Sequence, residues 1–178
     1  MKKTFREWRV LVEAHGDLWF DMKKMSKPSK VGKVETPDNL DSLTMGQMLT
    51  LSRVADGWSL FYDIMHELMG MKPDDVDDAD AAEVVRFVGW SVAQLDSLNK
   101  RFQRIRQTHT QEEKRAGVER LQFGPFGLVD WYARRMGITN HDDVMDVPAL
   151  RVWQCLKMDT EQKEFERRLS KVYTEKRK

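Results

Sequence analysis

Cysteine is nearly absent. Cys155 stands alone among 178 residues, which excludes an intramolecular disulfide and any cysteine-based metal cluster. It falls in an apolar helical run and reads as a buried structural thiol rather than a nucleophile. An excess of charge of one sign is missing too. Thirty basic against twenty-nine acidic residues leave a net +1, so no whole-protein field draws the chain onto nucleic acid or an anionic membrane. No uncharged apolar run approaches the roughly 18–20 residues that span a bilayer. The basic start Met1-Lys2-Lys3 leads into no apolar segment of signal-peptide length. The expectation is a soluble, intracellular protein, long enough for a proper core.

The signatures of common chemistry are also missing. There is no glycine-rich phosphate loop, no Gly-x-Ser-x-Gly elbow and no dinucleotide fingerprint. His66-Glu67-Leu68-Met69-Gly70 starts like a zinc-protease helix, but glycine stands where the second histidine is required. Asp74, Asp75, Asp77, Asp78 and Asp80 raise the question of calcium. A calcium loop needs glycine at its sixth position and glutamate at its twelfth. Counted from Asp74 those places hold Ala79 and Val85, and counted from Asp75 they hold Asp80 and Arg86. Helix capping and a solvated acidic loop explain the aspartates better. No enzyme, metal or cofactor is expected.

What is present is helical punctuation, and one phrase occurs twice. Met69-Gly70-Met71-Lys72-Pro73-Asp74-Asp75-Val76 returns, one residue longer, as Met136-Gly137-Ile138-Thr139-Asn140-His141-Asp142-Asp143-Val144. Glycine after the last apolar residue suits the left-handed position that ends a helix. The paired aspartates suit the positive end of the next one. Each copy predicts helix, hook, helix.

Thr44-x-x-Gln47, flanked by Leu43 and Met48, predicts a capped helix running to about Ala55. Trp58, Phe61, Met65, Leu68 and Met69 share one face of the next helix, which stops at Gly70. Asp80-x-x-Glu83 then launches the longest element, about 81–106. Along it Val84, Val88, Ser91, Leu95, Leu98, Phe102 and Ile105 recur in steps of four and three. That stripe is either the spine of an intramolecular bundle or a seam with another copy of the chain. Pro125 suits the first turn of a helix carrying Leu128, Val129, Tyr132 and Met136. Leu150, Trp153, Leu156, Phe165, Leu169 and Val172 mark a final helix or helix pair.

Residues 8–22 admit two readings. Thr4 with Glu7 fits a capping box, and Phe5, Trp8, Leu11 and Val12 would share a helix face. Alternatively Trp8, Val10 and Val12 alternate, His15-Gly16-Asp17 turns, and Leu18–Met22 return as a strand. The β-branched and aromatic residues favour the hairpin. Lys23–Lys33 reads as a solvated, lysine-rich loop. The expected fold is thus mainly α, an irregular helical bundle with one long central helix and, on the second of these readings, an N-terminal β-hairpin at about 8–22. Its parts are 1–39 (hairpin or helix plus the loop), 40–106 (a first helical region), 107–124 (a polar, mobile connection) and 125–178. The last is a C-terminal helical region forming one compact unit with the first.

Eleven methionines and six tryptophans bear on partners. Met side chains adapt to varied surfaces, and tryptophans anchor interfaces. Both also fill helical cores, and that simpler use competes with the first.

Across roughly residues 40–160 the order of elements resembles the tail assembly chaperones of long-tailed bacteriophages and prophages. The residues carrying the resemblance are Leu40-Asp41-Ser42-Leu43-Thr44-Met45-Gly46-Gln47-Met48, Phe126-Gly127-Leu128-Val129-Asp130-Trp131-Tyr132, Met136-Gly137, Asp142-Asp143-Val144 and Pro148. It implies a small, mainly helical, non-enzymatic protein in the cytoplasm of a bacterial host. Such a protein holds the tape measure protein and tail tube subunits soluble until the tail polymerises. Many members of that family are made in two lengths by a translational frameshift, whereas this chain carries both regions in one frame. The resulting expectation is a groove of Met and aromatic side chains for an apolar partner segment, with Trp58, Phe61, Met65 and Trp131 as contact residues. Two alternatives stand beside it: a structural virion protein of the head–tail connector type, and a nucleic-acid-binding regulator using Arg101 and Arg104.

Overall fold

A computed structural model describes residues 3–15, 26–53, 57–105 and 109–175. The protein is mainly α, as the periodicity predicts. In chain order the elements are α1 (Phe5–His15), β1 (Lys30–Val31), β2 (Val34–Glu35), α2 (Met45–Leu51), α3 (Trp58–Met69), α4 (Pro73–Asp78), α5 (Ala81–Gln103), α6 (Gln111–Arg115), a 3-10 turn (Val118–Arg120), α7 (Gly124–Met136), α8 (Asp142–Met145) and α9 (Ala149–Glu175). The chain forms two compact units, Met1–Leu43 with Gln47–Ser97, and Thr44–Gly46 with Leu98–Lys178.

In the first unit the capping box wins over the strand reading. Glu7 N–H donates to Thr4 Oγ1 at 3.3 Å and Thr4 N–H to Glu7 Oε2 at 3.0 Å. Residues 5–15 are therefore helix, burying Phe5, Trp8 and Val12. This corrects the preference for a hairpin at 8–22. Alternation at Trp8, Val10 and Val12 loses because Val10 is exposed while Phe5, Trp8 and Val12 share a helical face. The returning strand placed at 18–22 lies outside the described residues. A hairpin does exist, but later, pairing Lys30 with Glu35 and Val31 with Val34. It corrects the loop reading of that stretch: Val31 is buried, and Gly32 N–H donates to Glu83 Oε2 at 3.0 Å.

The start of α1 is pinned to the start of α5. Phe5 N–H donates to the Ala79 carbonyl at 2.8 Å, and Ala81 N–H to the Lys3 carbonyl at 3.0 Å. Asp80 Oδ1 accepts from Ala82 N–H at 2.9 Å and Glu83 N–H at 3.3 Å, capping α5. The long helix ends at Gln103, a little short of 106, after about 34 Å. Its stripe is the spine of the first unit, with Val84, Val88, Ser91 and Leu95 all buried.

In the second unit Val129, Tyr132, Ala133, Val144, Ala149 and Val152 form the core together with Met45, whose N–H donates to the Val147 carbonyl at 2.8 Å. Within the connection, residues 109–123 carry two short elements rather than a plain loop. Thr110 and Glu113 form a full capping box that starts α6, and the 3-10 turn follows. The final region is one continuous helix, α9.

Both copies of the repeated phrase fold alike. Gly70 (φ 66°) and Gly137 (φ 68°) close α3 and α7 in the left-handed conformation. A one-turn helix then opens with its paired aspartates and plugs a fully buried valine, Val76 or Val144, into its own unit. Nothing lies within 4 Å of a Cβ added at either glycine, so substitution there carries only backbone strain. Gly70→Ala and Gly137→Ala are each expected to cost about 1 kcal/mol, read as a lower urea midpoint. Asn at either position should recover part of the loss.

Candidate partner-binding surface

The residues expected to meet a partner fall in two different environments. Trp58, Phe61 and Met65 project from α3 into the first unit, where Phe61 and Met65 are fully covered and Trp58 is half-buried. They belong to an aromatic cluster centred on Phe5. Its ring lies 5.2 Å from Phe61, 5.7 Å from Trp8, 5.9 Å from Tyr62 and 6.1 Å from Trp58. Such tilted and edge-on pairs add to the area term of burial. Phe61 and Met65 are thus core, with no free face to offer.

The cluster has a polar edge. Tyr62 OH donates to Asp77 Oδ1 at 2.6 Å, while Arg9 bonds Tyr62 and Arg6 Nε reaches Asp77 Oδ2 at 3.3 Å. This network ties α1, α3 and α4 together. Burial, then the hydrogen bond to Asp77 and the charge of its carboxylate, push the Tyr62 phenol up to about 12, against the smaller opposing pull of Arg9 and Arg6. Unfolded, the same phenol titrates near 10.0. Between those values the unfolded chain has lost a proton that the folded one keeps. The network's contribution is therefore intact below pH 10 and declines as pH rises to about 12. An ultraviolet pH titration compared with Tyr62→Phe should show one late phenol and remove it.

Trp131 stands elsewhere, on α7 in the second unit, and there the surface is open. With Leu128, Gly127, Gly124 and Phe123 it forms one wall of a groove of about 340 Å³, and Leu156, Asp159, Thr160 and Lys163 of α9 form the other. The local sequence explains the shape. Gly124 takes φ 58° and Pro125 occupies the first turn, so α7 starts abruptly. A Cβ on Gly127 would sit 2.6 Å from the Phe123 Cβ, so only glycine lets Phe123 fold back across the helix.

Phe123 and Phe126 are 70% and 61% exposed, with Leu121 exposed beside them. The rim is polar: Asp159 pairs with Arg135 at 3.1 Å, and Thr160 Oγ1 donates to the Leu156 carbonyl at 2.8 Å. Phe126 turns to His141, its ring 5.1 Å away, and leaves Phe123 as the exposed aromatic lip; a concave apolar floor with such a lip and a charged rim suits docking of an apolar segment. Phe123 and Leu128 are the groove members that sequence reasoning missed as contacts. The signal that marks the place is the Phe123-Gly124-Pro125-Phe126-Gly127 cluster.

Arg101 and Arg104, the nucleic-acid candidates, do come together. They line a groove of about 360 Å³ with Ile105, Trp153, Lys157, Thr160, Glu161 and Glu164. The two glutamates offset much of the positive charge, which weakens it as a phosphate track. Among the described residues no three His, Cys, Asp or Glu side chains converge as metal ligands, and no helix is long and apolar enough to cross a membrane. Comparison with known protein families, curated proteins and solved structures finds no match for the chain.

Proposed function

We propose that this protein is a non-enzymatic assembly chaperone or scaffold of the phage-tail type, which holds an apolar segment of a tape measure or tail tube protein. The observation that carries the reading is the open groove of the second unit, with Phe123 exposed at its mouth and Trp131 and Leu128 in its wall. Exposed aromatic residues gathered around a concavity mark interaction surfaces rather than solvent-adapted faces. The resemblance supports the same place, because Phe126-Gly127-Leu128-Val129-Asp130-Trp131-Tyr132 is both the segment that resembles the family and part of the groove. The contact set is accordingly shifted from Phe61 and Met65 to Phe123, Leu128 and Trp131.

Co-expression with tape measure and tail tube proteins tests the proposal. A chaperone should raise the soluble fraction of one of them, co-purify with it, and be absent from finished particles. A stoichiometric band in purified virions would instead favour the structural-protein alternative. Lack of both co-purification and solubilisation would count against the groove as a tail-protein site.

A further inference from the structure

Helix α9 is oriented against the usual amphipathic rule. Its inward face carries Ala149 and Val152 and then turns polar: Arg167 pairs with Glu113 of α6 at 3.3 Å, and Thr160 and Lys163 sit in the groove walls. The opposite face carries Met158, Phe165, Leu169 and Val172, all exposed, the first two by 62% and 55%. With Gln162 they fall at 158, 162, 165, 169 and 172, steps of four and three, the spacing of a two-helix seam. The comparable stripe of α5 is buried within its own unit from Val84 to Leu95. The α9 stripe is covered by nothing among the described residues.

We infer that the outward stripe of α9 is a dimer seam that takes a second copy of this chain in antiparallel orientation. Flanking charge identifies both the occupant and the direction. In an antiparallel pair, flanking positions on the same side of the seam face each other, so Glu161 of one copy, whose own-helix pair with Lys157 at 3.7 Å is solvent-exposed and exchangeable, meets Arg168 of the other, twice by symmetry. Arg168 has no ion-pair partner of its own among the described residues. On the other flank Asp159 would face Glu166, but Asp159 is already neutralised by Arg135 and Glu166 accepts from Gln162 Nε2 at 3.0 Å. A parallel pair would instead set Glu161 against Glu166 twice, a like-charge clash. The core layers of the antiparallel pair would be Met158 on Leu169 and Gln162 on Phe165. One polar residue per helix at the centre fixes register at a cost in affinity, and a seam this short makes a concentration-dependent dimer.

Sedimentation velocity on the full chain over a concentration series tests this. The apparent mass should rise from the 21.0 kDa monomer toward twice that value. Phe165→Glu should hold it at the monomer while the far-ultraviolet helix signal stays unchanged, because Phe165 is exposed. Glu161→Arg should weaken association about tenfold and Glu161→Arg with Arg168→Glu should restore it. Phe123→Ala, in the separate groove, should leave association unaltered. A mass that stays monomeric at every concentration overturns the proposal, as does a dimer indifferent to Phe165→Glu. Tighter association of Glu161→Arg, the parallel pair's signature, overturns the antiparallel seam.

Discussion

Truncating Phe5 to alanine should destabilise the first unit by about 3–5 kcal/mol. The ring is fully buried and in contact distance of four others, Trp8, Trp58, Phe61 and Tyr62. Its removal loses the transfer energy of a phenyl group and leaves a cavity whose walls are themselves rigid rings, which collapse poorly. A loss of that size is a large share of the 5–15 kcal/mol that holds a typical domain. Urea unfolding followed by near-ultraviolet circular dichroism reads it, since Trp8 and Trp58 lie in the same cluster. Phe5→Leu should recover more than half of the loss, because a branched aliphatic side chain refills most of the volume. Equal damage from leucine and alanine would show that ring geometry, not volume, holds the cluster.

The second large effect concerns binding rather than folding. Phe123→Ala should reduce partner retention on the groove by about tenfold or more, as loss of a hot-spot aromatic residue does, with no fall in melting temperature. The ring is exposed, so the folded chain loses little when it goes. Trp131→Ala should weaken binding too, but also lower stability, because Trp131 is half-buried against Tyr132 at 6.1 Å. The contrast separates lip from wall. Undiminished co-purification of Phe123→Ala would remove the groove from the proposal.

Local chemistry was legible in the chain. The capping box at Thr4, the Asp80 cap of α5 and both glycine hooks involve residues no more than a few positions apart, and each forms where the spacing predicts. The box at Thr110-x-x-Glu113 obeys the same rule, but α6 has no apolar residue to mark it as a helix in the sequence. Longer-range decisions were not legible. Val31 is buried in the first unit next to Gly32, whose N–H meets Glu83, a partner far along the chain. The candidate site shows the same divide. Phe61 and Met65 on α3, and Phe165 and Leu169 on α9, make similar stripes in sequence, yet the first pair is covered and the second open. A period tells which side chains share a face, not whether another element arrives to cover it.

The pinning of α1 sets an order of events during synthesis. Phe5 N–H and the Lys3 carbonyl find their partners at Ala79 and Ala81, roughly seventy-five residues downstream, which a ribosome adding about 5–20 residues per second takes on the order of 4–15 s to reach. Phe5, Trp8 and Val12 lack the rings of α3 until residues 58–69 are made and the Ala79 anchor until still later. An isolated eleven-residue helix is marginal in water, so the nascent N-terminus must wait, with its most apolar side chains uncovered, for a stretch of chain not yet translated.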